Sequence, residues 1–136
     1  MAMLDCTPLL NVADVERSLA FWREGLGFEV VATWDHEGRA AFARLRSGKA
    51  ELMLNRPTDV DRPGPGAKPS YSDVVLNLRV DDVHALWRAL TAKGLSVKPP
   101  ERQFYGVDEM LMRDPDGYEI AFTSGVVTTG SAPTAV

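Results

Sequence analysis

Hydrophobic and polar residues alternate along two stretches of the chain, and each stretch is followed by a helical pattern. Apolar residues occupy every second position in the segment 8–12 and again in the segment 74–80. Alternation with a period of two is typical of a strand with one buried face. Apolar stripes with helical spacing follow in the segments 15–22 and 83–90. The pattern therefore predicts a strand and then an amphipathic helix, twice along the chain.

The residues that flank the two predicted helices are typical of helix N-termini and C-termini. Asp14 and Asp82 stand where the first N–H groups of each helix need an acceptor, and a short carboxylate there also suits the helix dipole. Gly25 and Gly94 follow the apolar stripes, and glycine readily adopts the left-handed conformation that ends many helices. We therefore expect the helices to begin after the aspartates and to end at the glycines.

Three more apolar stretches follow each helix, with turn-forming residues between them. The turns are predicted at 35–38, 47–48 and 114–117, where Asp, Gly, Pro and Ser are concentrated. Each half of the chain is therefore a strand, a helix and three strands, which places the fold in the α+β class. The predicted strands are residues 28–34, 39–46 and 50–55 in the first half and 96–98, 105–113 and 118–123 in the second.

The two halves also resemble each other in sequence. A shift of 68 residues pairs Val12 with Val80 and Asp14 with Asp82. An internal repeat is more informative about architecture than any single motif. Prolines and glycines crowd the stretch between the halves, which predicts a linker. We expect one domain over residues 1–136, with a first module at about 3–56, a linker at 57–71, a second module at about 72–124 and a loose tail at 125–136.

Composition and charge exclude several functional classes. The chain has 136 residues, of which 45% are hydrophobic and 25% charged, as in an ordinary globular protein. No apolar run approaches the roughly 18 residues of a membrane helix. The net charge is −4 and no basic patch stands out, so we expect no nucleic-acid partner. The first residues carry no secretory pattern and Cys6 is the single cysteine, so we expect a cytoplasmic protein with Cys6 buried.

The strand alternation also predicts which side chains avoid the helix-covered face. On the strand at 74–80, Leu76 and Leu78 pack inward, so Asn77 and Arg79 point to the opposite face. A few polar groups on an otherwise apolar concave wall are typical of a small-molecule site. The candidate ligand-binding residues are Trp34, Phe42, Glu51, Met53, Asn77, Arg79, Tyr105, Met110, Met112 and Glu119.

Each candidate side chain also has an ordinary structural explanation. The aromatic residues can stack on a planar ligand or pack into the core and loops. Glu51 and Glu119 can hold a cation, act as a base on a carbon acid, or form an ion pair with Arg79. Asn77 can orient a ligand or make a cross-strand hydrogen bond. The methionines can form an adaptable floor for a ligand or fill the core. The sequence leaves these alternatives open.

Two segments, PLLNVADVERSLAFWREGLGF (8–28) and DPDGYEIAF (114–122), carry a resemblance to a known family. Together with the repeated unit, they resemble the vicinal oxygen chelate superfamily, which includes glyoxalase I, extradiol dioxygenases and bleomycin-resistance proteins. The resemblance covers residues from about 6 to 124. It implies two tandem βαβββ modules that form a curved mixed sheet around a groove.

The metal-ligand positions of that superfamily are largely lost here. Its metalloenzymes carry a His or Gln on the first strand and a Glu on the last strand of each half. By the resemblance, those positions hold Thr7, Val75 and Ala121, and the fourth holds Met53 or, in a competing alignment, Glu51. The two histidines, His36 and His84, are expected in a turn and on a helix, away from the groove. We therefore expect no metal and no cofactor.

The resemblance is strongest to the metal-free bleomycin-resistance branch, whose members sequester a drug without altering it. It implies a homodimer in which the groove forms between the first half of one chain and the second half of the other. The expected function is binding of an aromatic or cationic small molecule, without catalysis. The alternative is a metal-dependent lyase, isomerase or dioxygenase that uses Glu51.

Overall fold

The polypeptide folds into two units that repeat the same order of elements. The computed structural model describes residues 1–57 and 71–125. The first unit comprises Met1–Ser70 and Pro115–Gly117, and the second comprises Tyr71–Asp114 and Tyr118–Val136. The predicted linker at 57–71 and tail at 125–136 fall almost entirely outside the described residues, although Tyr71 begins a strand.

The first unit is a four-stranded mixed sheet with one helix. Its strand order is β1-β4-β3-β2, with β1 parallel to β4 and the other pairs antiparallel. The helix α1 continues directly into a π-helical segment. The elements are β1 Leu9–Asn11, α1 Val15–Leu19, the π-helical segment Ala20–Gly25, β2 Glu29–His36, β3 Arg39–Ser47 and β4 Ala50–Asn55.

The second unit repeats this topology. Its strand order is β5-β8-β7-β6, again with the first strand parallel to the last. The predicted α+β class and the internal repeat of strand, helix and three strands are therefore confirmed. The elements are β5 Tyr71–Arg79, α2 Val83–Ala92, β6 Glu101–Arg102, β7 Asp108–Arg113 and β8 Tyr118–Ser124.

The predicted helix starts are correct, and one of the two glycines predicted to be left-handed is not. Asp14 accepts a hydrogen bond from the Arg17 N–H at 3.2 Å, and Asp82 accepts two at the start of α2. Gly94 ends α2 with a left-handed φ of +88°. Gly25 is the last residue of the π-helical segment, as predicted, but it is not left-handed. Gly27, two residues later, adopts the left-handed conformation with φ +79°.

The turn at 114–117 contributes a buried carboxylate to the first unit. Asp116 is almost completely enclosed, with 2% of its side chain exposed. It accepts hydrogen bonds from the Ala13 N–H at 3.1 Å, from the Ser18 hydroxyl at 3.3 Å and from the Arg17 guanidinium at 2.8 Å. Buried carboxylates need such partners, and this one binds a backbone N–H just ahead of α1 and two side chains of α1 itself.

The second half departs from the predicted strand positions. The segment 96–98 is not a strand, and β6 forms instead at Glu101–Arg102. β7 begins at Asp108 rather than at Tyr105, because Gln103 N–H bonds the Val107 carbonyl at 2.8 Å and closes a turn. Cys6, expected to be buried, is exposed ahead of β1.

In the part of the chain that the structure describes, none of the helices has the length and apolar character required to cross a bilayer.

Neighbouring residues on β4 provide a test of which sheet face forms the core. Leu54 is fully buried, whereas Met53 beside it is half-buried on the other face. We expect Leu54→Ala to lower the free energy of unfolding by about 2–5 kcal/mol, and the control Met53→Ala to lower it by about 1 kcal/mol or less. Urea unfolding measures both, and equal losses would show that β4 is not buried on one side.

Candidate ligand-binding site

The helix of the first unit leaves one face of its sheet uncovered. Along β3, Ala41, Ala43 and Leu45 are buried on the helix side, whereas Phe42 and Arg44 between them are partly exposed. The register of the neighbouring strands extends this division across the sheet. We call the uncovered side the first open face; it carries Leu9, Asn11, Glu29, Ala32, Trp34, Phe42, Arg44, Arg46, Glu51, Met53 and Asn55.

A row of aromatic and amide side chains crosses the first open face. Trp34 lies opposite Phe42, Phe42 opposite Asn55, and Asn55 opposite Asn11. The Trp34 indole is 73% exposed although Phe42 is half-buried. Asn55 Nδ2 donates to Asn11 Oδ1 at 3.1 Å, which fixes the amide end of the row. At the opposite end of the row, Trp34 and Phe42 form a flat apolar surface that is open to solvent.

An ion pair lies beside this aromatic row. Arg44 Nη2 donates to Glu51 Oε2 at 2.8 Å, and the two side chains are 37% and 30% exposed. Arg44 lies opposite Met53, and its Nη1 is 3.9 Å from the Met53 sulfur. The carboxylate of Glu51 is thus paired within its own sheet, by an arginine that the sequence analysis did not single out. The predicted partner, Arg79, belongs to the second unit.

The first open face brings four of the predicted site residues together: Trp34, Phe42, Glu51 and Met53. Arg44 is the residue that the sequence analysis missed on this face. It lies two positions after Phe42, which was chosen as an aromatic residue, and strand alternation places both side chains on the same face. Whether these side chains contact a ligand stays a prediction.

The second unit also leaves one sheet face uncovered, and three predicted residues lie on it. Asn77, Arg79 and Glu119 share this face by register. Thr123 Oγ1 donates to Asn77 Oδ1 at 3.3 Å, so Asn77 makes a cross-strand hydrogen bond. Arg79 lies opposite Thr123 while Glu119 lies opposite Val75, which separates them by four residues along the strands. Their backbone positions are thus about 13 Å apart, and within residues 71–125 the structure has no Arg79–Glu119 ion pair.

Met110 and Met112 do not lie on that face, contrary to the prediction. Met110 lies opposite Phe122, and Met112 lies opposite Ile120. Met110, Ile120 and Phe122 are each at most 2% exposed, because this is the side that α2 covers. Met110 therefore fills the core, and Met112 is half-buried on the same side of the sheet.

Tyr105 lies in a turn rather than on a strand. Its ring packs edge-to-face against Phe104, with ring centroids 5.0 Å apart. Phe104 is 66% exposed, and Tyr105 is half-buried. The two rings form an aromatic pair at the edge of the second unit. Whether Tyr105 binds a ligand stays a prediction.

The residues at the superfamily's metal positions do not fit a metal ion. Val75 and Ala121 have no side-chain donor atom, Thr7 offers only a neutral hydroxyl, and Met53 offers only a thioether beside Arg44. Glu51, the alternative ligand, is already paired with the Arg44 guanidinium. Among residues 1–57 and 71–125, no three His, Cys, Asp or Glu side chains cluster in an arrangement that could hold a metal.

A polar cluster that the sequence did not reveal lies elsewhere in the second unit. His84 Nε2 is 2.8 Å from Asp108 Oδ2, and the Arg102 guanidinium donates to the other carboxylate oxygen. The hydrogen bond from Arg102, followed by that from His84, lowers the pKa of Asp108 from 3.8 to about 2. The three residues come from α2, β6 and β7, so their spacing in the sequence does not predict that they are neighbours.

This cluster predicts a pH-dependent contribution to stability. Because the pKa of Asp108 is lower in the folded chain, its ion pairs stabilise the fold above about pH 4, and this contribution is lost as the pH falls towards 2. We expect Asp108→Asn to lower the urea midpoint at pH 6, with the difference from wild type shrinking between pH 4 and pH 2. The exposed Asp35→Asn is the control. A difference that persists unchanged down to pH 2 would contradict the assignment.

Solved structures of similar fold include two antibiotic-binding proteins. TnmS3, an antibiotic binding protein from Streptomyces sp. CB03234, matches with a TM-score of 0.68 and 22% identity, over 93% of this chain and 100% of its own. The bleomycin-binding protein from bleomycin-producing Streptomyces verticillus, solved with copper(II)-bleomycin, matches with a TM-score of 0.68 and 25% identity, over 93% of this chain and 99% of its own.

Sequence comparison points to the same family. A lactoylglutathione lyase from Haemophilus influenzae is 29% identical over 121 residues, which cover 84% of this chain and 87% of the lyase. The family model of the Glyoxalase/Bleomycin resistance protein/Dioxygenase superfamily matches residues 5–122. The predicted resemblance is confirmed, and the chain belongs to this superfamily.

Proposed function

We propose that this protein binds an aromatic or cationic small molecule on its open sheet faces, without a metal ion and without chemical conversion. The observation that carries the proposal is the Trp34 indole, which is 73% exposed and lies opposite Phe42 in the sheet. A large aromatic side chain left in water on a sheet face gains free energy when a flat ligand covers it.

The side chains of the first open face suit both aromatic and cationic ligands. Indole and phenyl rings attract planar rings by stacking and attract cations through their π-faces. The net charge of −4 favours the approach of a cation. Met53 next to the aromatic row offers an adaptable thioether surface.

The antibiotic-binding and bleomycin-binding neighbours support the same class of function. Their shared fold indicates that this scaffold can hold an antibiotic such as bleomycin. At 22–25% identity the likeness does not identify the ligand of this chain.

We also propose that the protein is a homodimer whose groove combines one chain's first half with the other chain's second half. Exposed apolar side chains on the open faces, Leu9 in the first unit and Val75 and Leu111 in the second, support burial by another surface. Sedimentation velocity tests the dimer. The cytoplasmic location stays a prediction.

Trp34 provides the direct test of binding. We expect bleomycin or the aromatic cation ethidium to quench tryptophan fluorescence saturably, with a Kd of about 10 μM or tighter. Trp34→Ala is expected to weaken binding at least tenfold and Trp34→Phe to remove most of the quenching, because the ring contact is lost or becomes non-fluorescent.

The other tryptophans provide the control. Trp22 is fully buried, and Trp87 donates its Nε1–H to the Val97 carbonyl at 2.8 Å. Trp87→Phe should therefore retain both the affinity and the ligand-dependent quenching. Absence of saturable quenching by both compounds up to about 1 mM would contradict the proposed function.

The similarity to a lyase supports a second candidate function, that of a metal-dependent lyase or isomerase that uses Glu51. Its support is the 29% identity to a lactoylglutathione lyase over most of both chains. The Arg44–Glu51 ion pair at 2.8 Å weighs against it, because a metal would have to displace the guanidinium.

Elemental analysis separates the two candidates. We expect less than about a tenth of an equivalent of any transition metal in untagged protein purified without chelator, and no increase after incubation with Zn²⁺ or Ni²⁺. The same preparations should lack lactoylglutathione lyase activity. Close to one equivalent of metal, together with activity that Glu51→Ala abolishes, would establish the lyase instead.

A further inference from the structure

The Arg44 guanidinium has hydrogen-bond donors that its own sheet does not use. A guanidinium carries five N–H donors. One bonds Glu51 at 2.8 Å, and another has only the Met53 sulfur at 3.9 Å. Among the residues described, Arg44 has no further hydrogen-bond acceptor. With 37% of the side chain exposed, the remaining donors can reach a ligand on the first open face.

Arg44 also lies in line with the aromatic surface. It is two residues beyond Phe42 on β3, which corresponds to about 7 Å along the strand. Its pairing with Glu51 directs the guanidinium away from Phe42, so the donors lie somewhat farther than 7 Å. Ala32 and Met53 flank Arg44 on the neighbouring strands and form an apolar floor. The face thus runs from a flat aromatic surface to a cationic donor.

The pairing favours a ligand oxygen over a ligand cation at this point. A cation could bind Glu51 only by displacing Arg44, at the cost of an ion pair and of an uncompensated guanidinium. A carboxylate or carbonyl oxygen needs no displacement, because it accepts from donors that are still available.

We propose, resting on the proposed function, that Arg44 is a specificity-determining residue that binds a carboxylate or carbonyl oxygen of a ligand whose flat ring lies against Trp34 and Phe42. The ligand class is then a planar aromatic compound that carries an acceptor oxygen about 7 Å or more from the ring. Of the two ligand types in the proposed function, aromatic and cationic, this inference favours the aromatic one.

Two fluorescent probes with the same ring and chain test this inference. 4-(1-Pyrenyl)butyrate carries a carboxylate at the end of its four-carbon chain, and 4-(1-pyrenyl)butanol carries a neutral hydroxyl there. Energy transfer from tryptophan to pyrene measures the Kd of each. The quantity of interest is the ratio of the two Kd values, because changes in ring packing or folding affect both probes alike.

Replacing Arg44 should change the ratio of the two Kd values. Wild-type protein should favour the butyrate about tenfold more than Arg44→Gln does, the effect of one partly exposed charge-assisted hydrogen bond. Arg44→Met, which keeps the apolar stem, should give the same loss of preference. Arg46→Gln is the matched control: Arg46 is an open-face arginine paired with Glu29 at 3.5 Å, two residues farther from Phe42. It should retain the wild-type ratio to within about twofold.

The outcomes distinguish this inference from the proposed function. Equal ratios in wild type and Arg44→Gln, or an equal loss in Arg46→Gln, would overturn the role of Arg44. So would failure of both probes to bind. In each of these cases the bleomycin and ethidium titrations with the Trp34 variants still decide the proposed function independently.

Discussion

The structure depends on a single constraint, the two-residue period of a strand combined with one helix for each sheet. A helix can cover only one face of a four-stranded sheet, so alternate side chains along β3 and β4 are buried and those between them stay partly exposed. In the first unit Leu52 and Leu54 face α1, and in the second unit Ile120 and Phe122 lie on the side of α2. Each unit therefore carries a large uncovered surface that needs no additional element to create it.

This constraint also explains why the first open face can carry binding chemistry at little cost to folding. Arg44 and Glu51 pair with each other while both remain partly hydrated, so neither charge bears a full desolvation cost. Trp34 and Phe42 are opposite each other because the β2–β3 hairpin fixes their register, with left-handed residues at Glu37 and Gly38 in its turn. The site is thus built on paired strands, with register shifts in the β2–β3 pair between Val30 and Ala32 and between Trp34 and Asp35.

The sequence predicted the repeated fold because its signals are local. Alternation, the aspartate caps and the turns act within a few residues, and the open-face positions of Phe42 and Glu51 follow from the same parity. Met110 was misplaced because apolar residues run consecutively through 110–112, which gives no parity, and a one-residue slip exchanges the two faces. The Arg44–Glu51 pair depends on the register between β3 and β4, and the His84–Asp108 contact on three elements; spacing alone encodes neither.

The central claim is that a ligand binds on the open face of the sheet and leaves the helix-covered face unchanged. The most direct test is a methyl NMR spectrum of protein labelled with ¹³C-methyl-methionine, recorded with and without saturating bleomycin. Met53 lies half-buried on the first open face, and Met110 is 1% exposed on the helix side of the second sheet. The account predicts that the Met53 methyl resonance shifts on binding while that of Met110 stays in place. A shift of Met110 with no change at Met53 would contradict it.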